Sequence, residues 1–265
     1  MYSSFEIAKK YLHYFINAKS GNGHGMHSPF VFDFIIHVLN DKKQYECYAK
    51  IEPLRSQLLR DETIIEVEDF GAGSAIMRSN KRKISTIAGS SLKSKKIAKL
   101  LFRIVNYYKP KTIIELGTSF GITTSYMACA KHKPGMYTLE GSKEIGSIAE
   151  SNFSKLGFQN IKLILGNFKD TFLSTLGKIE FVDLAFVDGN HRKNATLHYF
   201  FELQRKSSPA SIFIFDDIHW SQEMEEAWLE IQQQPSVTLT IDLFFIGLVF
   251  FSPDFKEKQH FTIRF

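Results

Sequence analysis

The sequence predicts an α/β fold with a mostly parallel sheet, and three observations predict it. Between Thr112 and Gln233 short apolar runs alternate with amphipathic stretches, the pattern of repeated strand–helix units. The run T-I-I-E-L-G-T-S-F-G-I-T-T, Thr112–Thr124, joins a buried strand to a helix through Gly117 and Gly121. Glycines there let backbone approach a ligand, and the helix start offers free N–H groups. After Gln233 the pattern changes. Val237–Leu243 and Ile246–Phe251 follow one another with almost no linker, which predicts an antiparallel hairpin.

In chain order, Phe5, Ala8, Leu12, Phe15 and Ile16 fall at helical spacing, so a helix is predicted over 5–19. Gly21–Gly25 breaks it, and Ser28-Pro29 reads as the N-cap and first position of a second helix. Residues 44–60 suggest a third helix interrupted near Pro53, and 61–90 a strand-and-loop connector. Residues 94–108 form an amphipathic helix stopped by Lys109-Pro110. Strands are predicted at Thr112–Leu116, Met136–Glu140, Ile161–Leu165, Phe181–Asp188 and Ser211–Asp216. Helices are predicted near 121–132, 142–157, 169–177, 191–206 and 221–233, and a last short strand at His260–Phe265. The division expected is a mainly helical N-terminal extension or lid over 1–90 and a main domain over 91–265.

At 265 residues and 44% hydrophobic content, with 25 Phe, the chain can bury a sizeable core and is not expected to be disordered. No apolar run reaches the roughly 18 residues of a membrane span. The start, Met1–Phe5, lacks the basic and apolar blocks of a secretory leader. Cys47 and Cys129 have no metal-type spacing, which suits a reducing cytoplasm. The net charge of +5 is segregated: from Phe70 to Ile114 there is no acid, but Arg78, Lys81–Lys83, Lys93, Lys95, Lys96, Lys99, Arg103, Lys109 and Lys111 are all basic. This stretch is either a solvated face or a patch for nucleic acid or another acidic partner. His24 and His27 have no further ligands nearby and are not read as a metal site. Asp69–Ser74 imitates a nucleotide-binding turn, yet no amphipathic helix and no downstream acid follow it.

The motifs at the strand ends resemble those of class I S-adenosylmethionine (SAM)-dependent methyltransferases, and the resemblance covers roughly 91–265. It implies a Rossmann-like seven-stranded methyltransferase sheet with an antiparallel C-terminal hairpin. In that family the acid and glycine turn, here Glu115, Gly117, Thr118, Ser119 and Gly121, hold the methionine part of the cofactor. Glu140, with Gly141 beside it, matches the acid that binds both ribose hydroxyls, a task suited to a group with two acceptor oxygens. Asn167 and Phe168 match the adenine contact, although many members carry Asp in place of Asn167. A dinucleotide site would need G-x-G-x-x-G where this chain has G-x-x-x-G, and there is no P-loop.

The chain lacks the [DN]-P-P-[FY] turn typical of base amino-methylating enzymes. Asp188 after the fourth strand, with Asp216 and Asp217 after the fifth, instead resembles metal-dependent O-methyltransferases of the catechol and macrolide-sugar types. The resemblance implies a Mg²⁺-like cation held by Asp188, Asp216 and Asp217, with the acceptor a small hydroxylated molecule. His191 falls where the sugar type has its general base. Asp188 equally fits a cofactor-facing position in metal-free members, and His191 equally fits a helix cap. His219 and Trp220 are candidates for the acceptor pocket. The N-terminal extension is expected to act as an acceptor lid or a dimer contact. The alternative function is a methyltransferase-fold protein that binds nucleic acid or an acidic partner through 70–114.

Overall fold

The computed structural model describes residues 1–24, 27–67 and 80–265. The Asp69–Ser74 turn and the start of the basic stretch, through Ser79, lie outside the described residues. The chain divides into two compact units, Met1–Asp41 with Ile179–Phe265, and Lys42–Lys178.

The first unit opens with α1 (Ser4–Asn17), started by a capping box in which Ser3 and Glu6 satisfy each other's backbone N–H groups. The helix is where the periodicity predicts it, but its apolar stripe faces outward. Phe5 is 79% exposed, Leu12 60% and Ile16 64%. Tyr14 and Ala18, with Ile7 and Tyr11, pack on Phe244 instead. Pro29 begins α2 (Pro29–Phe34), which continues as a π-turn over Ile35–Leu39 and buries Val31, Phe34, Ile35, Val38 and Leu39. Ser28 precedes it in extended conformation without a side-chain cap bond.

In the second unit α3 (Glu46–Leu58) runs straight through Pro53, so the predicted interruption is absent. Cys47, Tyr48, Ile51, Leu54 and Leu58 bury one face of it, and that burial outweighs the roughly 3 kcal/mol cost of an interior proline. The connector holds an antiparallel pair, β1 (Ile64–Glu66) with β2 (Lys81–Lys83), and then a helix that the periodicity missed, α4 (Ile84–Ser91). Next comes α5 (Lys95–Tyr108), capped by Ser94 and ended by Lys109 in left-handed conformation. Three strand–helix units follow: β3 (Thr112–Leu116) and α6 (Ile122–Ala128); β4 (Gly135–Glu140) and α7 (Lys143–Leu156); β5 (Ile161–Leu165) and α8 (Phe168–Leu176). These strands are parallel and end in register, Leu116 beside Leu139 and Glu140 beside Leu165, so their following turns share one edge.

The first unit resumes with β6 (Leu184–Val187), α9 (Lys193–Gln204), β7 (Ile212–Asp216) and α10 (Gln222–Gln233). It closes with β8 (Leu239–Asp242), β9 (Ile246–Phe250) and β10 (Gln259–Thr262). β6 and β7 are parallel, and β9 runs antiparallel to β7 and to β8, which is the predicted hairpin. β10, the last short strand predicted at His260–Phe265, lies parallel beside β8 and takes the strands beyond the seven that the resemblance implies. Gly247 is required on β9, because a Cβ there would lie 2.6 Å from the buried ring of Trp228 on α10.

Candidate active site

The second unit builds the glycine turn. Glu115, the fourth residue of β3, is fully buried. Its Oε2 accepts from Thr124 Oγ1 (2.5 Å) and Thr138 Oγ1 (2.7 Å), while its Oε1 is buried with no hydrogen-bond partner among the described residues. Burial pushes its pKa up to about 7, against the two threonine bonds. After the strand, Gly117, Ser119 and Gly121 all adopt positive φ, at 101°, 48° and 77°. Gly121 also lies against α7: a Cβ there would be 2.4 Å from the Phe153 ring. Thr118 turns inward, its hydroxyl 2.6 Å from that of Thr138 and its N–H on Leu139 O, so its side chain braces the turn.

Glu140 ends β4 and reaches back to this turn. Its Oε2 accepts from the Ser119 N–H (2.8 Å) and its Oε1 from the Ser142 N–H (3.1 Å). Burial raises its pKa, partly offset by the backbone N–H groups of Ser142, Ser119 and Gly141. Gly166 donates to Glu140 O (2.9 Å), and Asn167 caps α8 by accepting from Lys169 N (3.0 Å). Phe168 is the first residue of that helix. Two supports have no signature in sequence. Ser91 at the end of α4 meets Ser119, Oγ to Oγ 2.8 Å, and buried Asn152 donates to Phe120 O (3.0 Å). Both come from segments far along the chain, where a serine or asparagine carries no motif.

The buried Glu115 Oε1 is an acceptor without a donor inside a glycine turn. A cationic ammonium suits it, and the Glu140 carboxylate suits a pair of hydroxyls. The turn therefore fits the methionine and ribose portions of SAM.

The first unit gathers the acids. Asp188 follows β6, Asp216 ends β7, and His191 precedes α9. Asp188, His191 and Asp216 each offer one ligand atom, and all three atoms lie within 4.8 Å of one another. His191 Nε2 is 3.7 Å from Asp188 Oδ1 and 3.9 Å from Asp217 Oδ2, so Asp217 borders the group through the imidazole. Asp217 takes φ 55°, and its N–H donates to Phe245 O (2.7 Å), which ties this turn to the hairpin. Opposite ligands of a six-coordinate hard cation lie about 4–5 Å apart, and carboxylates suit such a cation. The donor set fits a divalent ion.

His219, on the turn after β7, sits between Asp242 Oδ2 (2.8 Å from Nε2) and Glu225 Oε1 (3.1 Å from Nδ1). Burial opposes its charged form, but Asp242 and then Glu225 prevail and raise its pKa. It lines a cavity of about 590 Å³ that is bordered by α1. Trp220 does not line this cavity; it is half-buried, and its carbonyl accepts from the Tyr2 N–H (3.1 Å).

Residues 114–218 match the family described as a methyltransferase domain. The similarity to that domain spans less than half of the chain. The matched stretch holds every residue of the turn and of the acidic group described above. The fold is shared with an O-methyltransferase from Bacillus cereus in complex with SAH, at 18% identity and a TM-score of 0.57, covering 80% of this chain and 93% of that one. It is also shared with a SAH-bound methyltransferase from Podospora anserina, at 14% identity and a TM-score of 0.58, covering 95% and 97%. A third structure is the O-methyltransferase of tomaymycin synthesis from Streptomyces achromogenes in complex with SAM, at 18% identity and a TM-score of 0.52, covering 61% and 82%. No curated protein sequence gives a significant match.

The basic stretch is partly consumed within the second unit. Lys95 pairs with Glu52 (2.9 Å), Lys83 with Glu62 (2.5 Å), and Lys99 lies over the Tyr48 ring. No helix among the described residues is long and apolar enough to cross a membrane.

Proposed function

We propose that this chain is a SAM-dependent methyltransferase that moves the methyl group of SAM to a hydroxyl of a small acceptor, assisted by a divalent cation such as Mg²⁺. The observation that carries the reading is the convergence of Asp188, His191 and Asp216, with Asp217 against the imidazole, after the two strands whose turns carry the family's acids. Bound SAM would supply an electrophilic methyl carbon, and a bound cation would lower the pKa of the acceptor's hydroxyl.

The residues divide the work. Glu115 Oε1 receives the cofactor's ammonium, and Glu140, held by the Ser119 and Ser142 N–H groups, receives the ribose hydroxyls. Asn167 Oδ1 already caps α8, so its amide N–H₂ is the group that meets adenine, with Phe168 beside it. Asp188, Asp216 and Asp217 would hold the cation. His191 takes the hydroxyl proton at Nε2, and the Asp188 and Asp217 carboxylates stabilise the imidazolium that results.

The nucleic-acid alternative rests on the basic stretch, and the internal use of Lys83, Lys95 and Lys99 weakens it. A cytoplasmic location rests on the two free cysteines. The test is methyl transfer to a panel of hydroxylated acceptors with and without EDTA. Turnover that stops with EDTA and returns with Mg²⁺, while S-adenosylhomocysteine binding persists, supports the reading. Salt-dependent nucleic-acid binding that persists in Asp217→Ala, with no methyl transfer, would favour the alternative.

A further inference from the structure

The acids of the cavity beside α1 are largely engaged already. Glu6 accepts from the Ser3 N–H and hydroxyl, both at 2.7 Å, in the capping box. Glu225 accepts from Lys10 Nζ (3.0 Å to each oxygen), from Tyr2 OH (2.8 Å) and from His219. Asp242 accepts from His219 and from the Phe244 N–H (2.7 Å). Lys10 and His219 are spent in the same bonds.

Two basic lining groups are left over. Lys9 and His13 lie one helical turn apart on α1, border the cavity, and make no side-chain hydrogen bond or ion pair among the described residues. A ligand entering here meets two unpaired basic groups against one carboxylate oxygen, Glu6 Oε1, left over from the capping box, so it must bring acceptor oxygens to satisfy the donors. Beside a lysine an anionic oxygen is favoured over a neutral one. Phe244 and Tyr14 supply apolar wall for the ligand's carbon body. The volume falls in the range of small-molecule sites. His219, which lines the cavity, lies two residues after Asp217 on the turn that follows β7, where the Asp217 carbonyl accepts from the Trp220 N–H (3.0 Å).

We propose that this cavity binds the anionic portion of the methyl acceptor, a hydroxylated ring compound carrying a carboxylate or phosphate, through Lys9 and His13. Its role as an acceptor subsite rests on the methyltransferase reading; the anion binding itself does not.

Calorimetric titration of the full chain with benzoate, phenyl phosphate and benzyl alcohol tests it. At least one anionic probe is expected to bind tenfold or more tighter than neutral benzyl alcohol. The Lys9→Gln/His13→Gln variant, altered at two exposed positions, is expected to weaken that probe at least fivefold and to leave S-adenosylhomocysteine affinity unchanged. The stronger of the two anions identifies the group. Anions that bind no tighter than benzyl alcohol, or equally tightly in the variant, would overturn the proposal. Anion binding that responds to the variant in a protein that fails to bind S-adenosylhomocysteine would leave this site standing and remove the donor reading.

Discussion

The N–H of Ser119 donates to Oε2 of Glu140 over 2.8 Å, which couples the glycine turn after β3 to the acid that ends β4. One carboxylate thereby fixes the turn, and in the proposed reading it also accepts from the cofactor's ribose. Glu140→Ala should weaken S-adenosylhomocysteine binding by roughly 10–100-fold, as loss of one or two charge-assisted hydrogen bonds implies. Glu140→Gln should lose less, because its amide oxygen can still accept from Ser119. Calorimetric titration measures both, and equal losses would show that the bond to the turn is not what matters.

Glu115 makes stability depend on pH in the absence of ligand. Burial raises its pKa from 4.5 to about 7. The folded chain holds a proton that the unfolded chain gives up above about pH 4.5. The stabilisation is thus full below that value and is lost as pH rises through about 7. The loss is on the order of 3 kcal/mol at most. Urea unfolding at about pH 5 and pH 8 should show wild type falling more than Glu115→Gln, which has no proton to lose. A parallel fall in both proteins would count against a buried, unpaired carboxyl.

Gly121 cannot carry a side chain. Its φ of 77° and a Cβ position 2.4 Å from Phe153 both oppose one. Gly121→Ala should lower stability by about 1–3 kcal/mol and displace the turn, with weaker S-adenosylhomocysteine binding. Thermal melting with and without ligand reads both effects, and an unchanged melting temperature would contradict the geometry.

Asp217 and His191 face each other at 3.9 Å, and the account gives them different roles. His191→Ala should keep Mn²⁺ affinity within a few-fold and lose methyl transfer by about 10²–10⁴-fold, the usual contribution of a general base. Asp217→Asn should weaken Mn²⁺ binding by at least tenfold. Electron paramagnetic resonance titration separates the two. Loss of metal with His191→Ala alone would make the imidazole a ligand in place of Asp217.

Much of this fold can be read from the sequence, because strand–helix alternation and glycine spacing are local. β3 and β5 coincide with their predicted ranges, and the hairpin follows from two strands with no linker. What failed depends on what lies across from a segment. The stripe on α1 has the right period, but period does not say which face meets Phe244. The run of α4 is short, and only its packing through Ile84, Ile87 and Ala88 marks it as a helix. At the site, acids and glycines carry their chemistry in their identity. Ser91 and Thr138 become visible only when folding sets them against Ser119 and Glu115.

The most direct test of the central claim is titration of the purified chain with S-adenosylhomocysteine, with NAD as the control. The account predicts saturable one-to-one binding of S-adenosylhomocysteine, weakened by Glu140→Ala, and none of NAD. No binding of S-adenosylhomocysteine, or binding untouched by Glu140→Ala, would contradict it.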